Sequence, residues 1–470
     1  MEKLSILTAQ EIEQIHFSTL KILSETGIVL SHPKGQEILS GAGAVVKGDR
    51  VYLPPDLVEA QMAKCPHQIV RKGRGGESIV LGGEKQLWHN VGGACEVYNA
   101  KTGQQRPATI KDVIESTRLL DALDNVSEIT PYYTPRDVAP EVCSLAMYRY
   151  SIPHTLKPNA GPAVQTLDEV YYMLKMAEVI GNPSDLIGVA ISPISPLIFP
   201  DDIIDAAIEL AQHNIPIAPL PCPTAGATSP MSLAGAITQQ NAENLATMVL
   251  VQLVQPGVPV QYCGRISMMD PKTGNVLNGI ETGMVSAGTV QIGHYYGLPV
   301  NVYGLTSNSY ALDIQSGFER TFNALIPAMA GADELSGIGD MGGGIFGSLA
   351  MMVCDNEIIS NINHLRKGYR ADEHSLALDV IGKVMDGSRN FIDQMHTVQF
   401  IRSGEIRINQ LVKRQTFEQW DKDGRIGMAE RASEEAEKIL NTHEVPPLDD
   451  AQERELDALL AAAQKALTDK

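Results

Sequence analysis

The chain has 470 residues, a net charge of −19, 44% hydrophobic and 20% charged residues, which permits a large core and excludes wholesale disorder. No basic stripe interrupts the acidic balance, so nucleic acid and anionic membrane surfaces are set aside as partners. The six cysteines show neither C-x-x-C nor zinc-type Cys/His spacing, the start M-E-K-L-S-I-L-T lacks a signal core, and no 18-residue apolar run occurs; together these point to reduced thiols, no bound metal and a cytoplasmic chain.

Residues 9–26 read as an amphipathic helix, capped by Thr8 with Glu11 in the capping-box position and stopped by Gly27. Residues 44–53 read as a hairpin turning at Gly48-Asp49, and Pro54-Pro55 opens a helix to about residue 63. The stretch R-K-G-R-G-G-E at 71–77 has no strand and helix around it, so it reads as a surface loop and not a dinucleotide fingerprint. Residues 1–83 form a small α+β cap on this reading.

From residue 84 short apolar runs alternate with helical stretches. The strands are expected at 86–91, 127–133, 155–160, 186–192, 216–221, 259–265, 299–306 and 334–340. The helices are expected at 110–123, 141–150, 167–180, 201–213, 232–254, 280–296, 316–329 and 349–364. Eight strand–helix units call for parallel strands with right-handed crossovers, and eight close naturally into a (β/α)8 TIM barrel over 84–370. Beyond 370 the stretches 376–386, 391–402, 415–441 and 449–470 read as accessory helices of a C-terminal extension, 371–470. Such a chain is expected to form a homo-oligomer.

A barrel places its active site at the C-terminal ends of the strands. The residues expected there are Trp88, His89 and Asn90, then Tyr132 and Tyr133, then Tyr262 and Arg265, then Tyr303, then Asp340 and Met341, with Gly343 and Phe346 in the turn that follows. Aromatic residues are only 5% of the chain, yet five fall at these strand ends. Aromatic faces attract cations, so a cage for a quaternary ammonium group is one reading and rim packing is the other. Glycines 342–344 either sit against a ligand or only permit a tight turn, and Asp340 is either a ligand-binding carboxylate or a helix cap. Lys157 reads as a Schiff-base lysine or a salt-bridge partner. Cys222, between two prolines, reads as a nucleophile or thiolate ligand or, since its nearest histidine in sequence, His213, is expected at the opposite rim, as a buried structural thiol.

Several stretches together resemble the trimethylamine methyltransferase superfamily. They are W-H-N-V-G-G-A at 88–94, V-Y-N-A-K-T-G-Q-Q-R-P-A-T at 97–109, L-D-A-L-D-N-V at 120–126, the run E-T-G-M-V through G-L-P-V at 281–300, D-I-Q-S-G-F-E-R-T-F at 313–322 and C-D-N-E-I-I at 354–359. The resemblance runs in collinear order over nearly the whole chain. It implies a (β/α)8 barrel that moves a methyl group from a methylamine to a cobalt corrinoid carried by a separate small protein. Some members carry pyrrolysine near the last strands; this sequence reads through with ordinary residues, like the branch that demethylates quaternary amines such as glycine betaine, proline betaine or carnitine. A betaine carboxylate would need donors, for which His89, Asn90, Arg265 or the amides of 342–344 are available. A lyase using Lys157 and a non-catalytic betaine-binding protein are the competing readings.

Overall fold

A computed structural model describes residues 3–162, 164 and 166–468. Helix α1 (Ala9–Lys21) carries the expected capping box, with the Glu11 amide donating to Thr8 Oγ1 at 3.3 Å and the Thr8 amide donating to Glu11 at 2.7 Å. A π-helical turn, Ile22–Thr26, continues it to Gly27. Strands Val45–Lys47 and Arg50–Tyr52 form the expected hairpin, and helix Pro55–Met62 follows it. Helix Pro33–Gly41 was not read from the sequence. A second hairpin, Ile69–Lys72 with Ser78–Leu81, brackets the 71–77 stretch. Arg71 is therefore a strand residue and is buried, which corrects the surface reading.

From residue 87 onward the chain alternates as expected. The strands are β1 (Leu87–Asn90), β2 (Val189–Ile191), β3 (Ile217–Pro219), β4 (Tyr262–Gly264), β5 (Val300–Tyr303) and β6 (Glu334–Ile338). The helices are α2 (Ile110–Ala122), α3 (Cys143–Ser151), α4 (Leu167–Ile180), α5 (Asp201–Gln212), α6 (Leu233–Val254), α7 (Ile280–Tyr295), α8 (Ile314–Ala330) and α9 (Leu349–Lys367). The continuous ladders are a four-stranded parallel sheet, β4-β5-β6-β1, and the parallel pair β2-β3. The segments expected as strands at 127–133 and 155–160 are not ladder strands. They make single parallel bridges, His89 to Glu128 and Ile129 to Asn159. Pro131 and Pro158 remove backbone donors within them, which accounts for the interrupted pairing. The Gly188 amide donates to Ala160 O at 3.3 Å, and Ile217 bridges Val260 in parallel. The architecture is α/β with parallel pairing.

Two small sheets lie beyond the C-terminal ends of these strands. One joins Thr224–Ala225, Ser267–Met269 and Val276–Leu277; the other joins Asp340–Met341, Phe346–Gly347, Glu96–Tyr98 and Gln105–Pro107. The opposite end is closed by the 69–81 hairpin. A Cβ on Gly73 would stand 2.1 Å from Leu156 O, so backbone packs on backbone there.

After α9 come α10 (Leu378–Asp386), α11 (Met395–Ser403), α12 (Phe417–Lys422), α13 (Met428–Thr442) and α14 (Asp450–Thr468). The run expected at 415–441 breaks in two around Gly424 and Gly427. Helix α13 packs on α9, and α14 on α4. The main apolar core runs from Ile15 to Ala463, so these last helices share it. A second cluster, including Leu23, Val51, Ile204 and Val249, fastens the N-terminal elements to α5 and α6.

Candidate active site

Pleating decides which expected residues can share a site, because successive strand side chains face opposite sides. On β1, His89 reaches Asn301 of β5, with Asn301 Nδ2 2.9 Å from His89 Nε2. Trp88 and Asn90 therefore take the other face. Trp88 is in the core, and the Asn90 amide bonds Thr130 and Val91 backbone. On β4, Tyr262 turns outward, donating to Asn241 Oδ1 at 2.8 Å and lying 6.3 Å, centroid to centroid, from Tyr296. Its neighbours Gln261 and Cys263 face inward instead. The expected cage of Trp88, Tyr132, Tyr133, Tyr262 and Tyr303 is thus not assembled. Tyr132 and Tyr133 meet edge to face at 4.6 Å and are fully buried, and neither hydroxyl has a hydrogen-bond partner among the described residues.

A polar column fills the interior. At its base Arg71 pairs with Glu128. A Cβ on Gly188 would come within 2.4 Å of the Arg71 guanidinium, so a side chain there would displace it. Burial pushes the Glu128 pKa up to about 7, against the pull of Arg71. Burial also opposes ionisation of Glu334, but Arg71 and the donor Gln261, with His89 adding to them only when protonated, hold Glu334 below the usual range. Glu334 accepts from Gln261 Nε2 at 2.7 Å and Asn301 Nδ2 at 2.6 Å. The two carboxyls are thus pushed in opposite directions, Glu128 towards its protonated form and Glu334 towards its ionised form. Burial lowers the His89 pKa, so the ring is neutral; accepting from Asn301 at Nε2 leaves its proton on Nδ1. Asn301 Oδ1 accepts from Arg265, whose guanidinium lies 4.9 Å over the Tyr303 ring. The protein's own cation therefore occupies one face of Tyr303.

Above the column lies the 340–347 hairpin. Gly342, Gly343 and Gly344 have φ of 58°, 69° and 94°, a region glycine enters freely. Their amides are not open to a ligand: those of Gly342 and Gly343 donate to Ser309 O and Ser307 O at 3.0 and 2.9 Å, and that of Gly344 faces the Asp340 carboxylate. Phe346 meets Tyr310 edge to face at 5.5 Å, and Met341 is fully buried. Asp340 does not cap α9, which starts nine residues later. Its Oδ2 accepts from the Ser307 amide at 3.4 Å, and its Oδ1 has no hydrogen-bond partner among the described residues. Burial pushes its pKa up to about 6, against Arg320 and the neighbouring amides. His89, Tyr303 and Cys222 keep solvent access although burial shifts each of their pKa values, as side chains lining a concave mouth would, which corrects the reading of Cys222 as a buried thiol.

Lys157 lies elsewhere. Its Nζ donates to Leu120 O and Leu123 O at 3.0 and 2.7 Å, closing the C-terminus of α2, and burial lowers its pKa to about 8. A cavity of about 390 Å³ lies beside the small sheet of 96–98 and 105–107, between Tyr98, Arg106, Ser348 and Leu440.

The sequence reading missed Glu128, Gln261, Asn301 and Glu334. The available signal was one polar residue alternating with apolar ones inside each strand, as in V-N-V-Y. It also missed the buried pair of Arg320 on α8 with Asp355 on α9, at 3.0 Å, which receives the Gly339 amide at 2.7 Å and so fixes the turn from β6.

The profile of the family described as trimethylamine methyltransferase (MTTB) matches residues 1–468. This chain belongs to that family. It is a methyltransferase. The trimethylamine methyltransferase MttB of Desulfitobacterium hafniense strain DCB-2 is 32% identical over 449 residues, covering 93% of this chain and 90% of that one. The MttB of Methanosarcina barkeri is 29% identical, covering 99% and 96%. The glycine betaine methyltransferase of D. hafniense strain Y51 is 28% identical, covering 99% and 98%. Among solved structures, the M. barkeri monomethylamine methyltransferase MtmB aligns with a TM-score of 0.52 at 12% identity, over 99% of this chain and 88% of that one, a likeness of fold. This family member has an ordinary residue at every position, consistent with the branch that lacks pyrrolysine. Among the described residues no helix is long and apolar enough to cross a membrane, and no cluster of His, Cys, Asp and Glu could hold a metal ion.

Proposed function

We propose that this protein takes a methyl group from a quaternary amine of the betaine type and passes it to a corrinoid carried by a partner protein. The observation that carries the substrate class is the Asp340 carboxylate: buried at the strand ends, within electrostatic reach of Tyr303, with one oxygen unpartnered. Among the described residues its other oxygen accepts only the long Ser307 amide bond, and a buried anion so sparsely paired calls for a cation. We also read the parallel pairings from β1 through residues 128 and 159, and from 189 through 217 and 260 to β6 and back to β1, joined by the single Gly188–Ala160 hydrogen bond, as a closed (β/α)8 barrel, with a cap at 1–83 and an extension from 371, in a cytoplasmic chain.

Asp340 and the free side of Tyr303 hold the ammonium group. Arg265 and the Nδ1–H of His89 meet a substrate carboxylate. Both donors are pre-oriented, because Glu334 fixes Asn301 and Asn301 fixes both of them. The leaving group is a neutral tertiary amine, so no residue need give it a proton, and a neutral His89 suits that requirement. A reduced cobalt corrinoid, when bound, supplies the nucleophile that accepts the methyl group. The rim fits a docked carrier, since Tyr310, Ile314, Phe318 and Ile345 present exposed apolar side chains beside the mouth.

The test is calorimetric titration with glycine betaine, carnitine and 3,3-dimethylbutanoate, which has the shape of glycine betaine without its positive charge. Binding of at least one betaine and none of the isostere is expected. Equal binding of the isostere would overturn the reading.

A further inference from the structure

We propose that residues 368–427 form an arm whose occupant is a second copy of this chain. The arm leaves at the end of α9 and returns at the start of α13, two helices that pack on each other. It is therefore a long excursion fastened at both ends. Nearly half of the exposed large apolar side chains among the described residues lie between Leu365 and Trp420. Tyr369, Ile392 and Ile408 are 84%, 77% and 81% exposed. Only Val384 and Leu411 of the arm's apolar side chains are buried. Helix α10 shows the pattern in miniature, with Leu378, Ile381 and Met385 forming an apolar face open to solvent.

The arm is nonetheless held in place. The Gln410 amide donates to Glu357 at 3.2 Å, Arg431 Nε donates to Leu411 O at 2.7 Å, and His364 Nε2 stands 3.0 Å from Glu405 O. So the apolar side chains project from an anchored scaffold.

Two arguments select the occupant. Exposure of this extent amounts to on the order of 1,500 Å² of arm surface per chain, and two reciprocating arms reach the area that permanent homodimers bury. Charge agrees: the arm has nine Lys and Arg against nine Asp and Glu, so the whole net charge of −19 sits on the rest of the chain. A neutral apolar arm can lie on an identical acidic subunit without the repulsion two acidic surfaces would meet. A carrier protein that docks and departs each turnover would leave the arm bare between visits, whereas a second copy covers it permanently; this last step alone rests on the proposed function.

Sedimentation velocity on the full chain, without any other protein, tests the proposal. A species at twice the 50.8 kDa chain mass or a higher multiple is expected at micromolar concentration. The variants Ile406→Glu with Ile408→Glu, and separately Tyr369→Glu with Ile392→Glu, are expected to run at 50.8 kDa with an unchanged far-ultraviolet circular dichroism spectrum. Hydrogen exchange on the wild type provides a reading free of mutation: arm amides should be protected at micromolar concentration and lose that protection on dilution. A wild type at 50.8 kDa throughout, or folded variants that keep the wild-type mass, would overturn it. So would arm protection that appears only when a corrinoid protein is added.

Discussion

Replacing Asp340 by Asn keeps the shape of the mouth and removes its charge. Two opposite effects are expected. Burial holds the Asp340 pKa at about 6, against an ordinary value of 3.8. The folded protein therefore binds this proton more tightly than the unfolded chain, and stability falls as pH rises through that window. Two units correspond to about 3 kcal/mol of destabilisation once the group is ionised above pH 6. At pH 8 Asp340→Asn should be more stable than wild type by up to that amount, an increase of a few degrees in melting temperature, and the difference should vanish by about pH 4. Substrate binding should move the other way. An ammonium group 4–5 Å from the carboxylate gains roughly 3–4 kcal/mol at an effective dielectric constant near 20. After desolvation, about 2–3 kcal/mol remains, or roughly 30- to 150-fold in Kd. Tetramethylammonium is the minimal probe. Its affinity for wild type should fall as pH drops below 6 and its affinity for the variant should not change. A Kd within twofold of wild type at pH 8 would refute the role given to Asp340.

Three further outcomes separate scaffold from site. Tyr262→Phe should cost about 1 kcal/mol by removing the hydrogen bond to Asn241 and leave tetramethylammonium binding unchanged, as measured by urea unfolding and calorimetry. Gly337 has φ of 118°, and a Cβ there would lie 1.8 Å from Gly304 O; Gly337→Ala should lose about 4 kcal/mol or more, seen as a large drop in urea midpoint or failure to fold. Arg320→Leu leaves Asp355 buried without its cation and should cost about 3–5 kcal/mol, while adding Asp355→Leu should recover part of the loss.

Helices of the alternating region were legible because cap residues and apolar periodicity are local. Helix α4 has the expected bounds, 167–180, and α6 and α7 differ from theirs by one residue. The segments around Glu128 and Asn159 were less so: their apolar character reads as strand, but prolines break the ladder into single bridges. Residue types at the strand ends pointed to Asp340, Arg265 and Tyr303, which the structure does gather. They also pointed to Trp88 and Tyr262, because position along a strand was read without its pleat. Once Asn301 and His89 face each other, Trp88 must face away. Arg71 could not be placed from sequence, since its partner Glu128 lies 57 residues away and the contact exists only after the hairpin plugs the base. Lys157 illustrates the converse: a lysine at a promising place in sequence that closes a helix end in space.

The central claim is methyl transfer from a quaternary amine. The most direct measurement mixes the purified protein with cob(I)alamin and, one at a time, glycine betaine, proline betaine, carnitine and trimethylamine, following conversion to methylcobalamin in the visible spectrum. The expected result is conversion with at least one quaternary amine and none with trimethylamine. Conversion with trimethylamine alone would contradict the account.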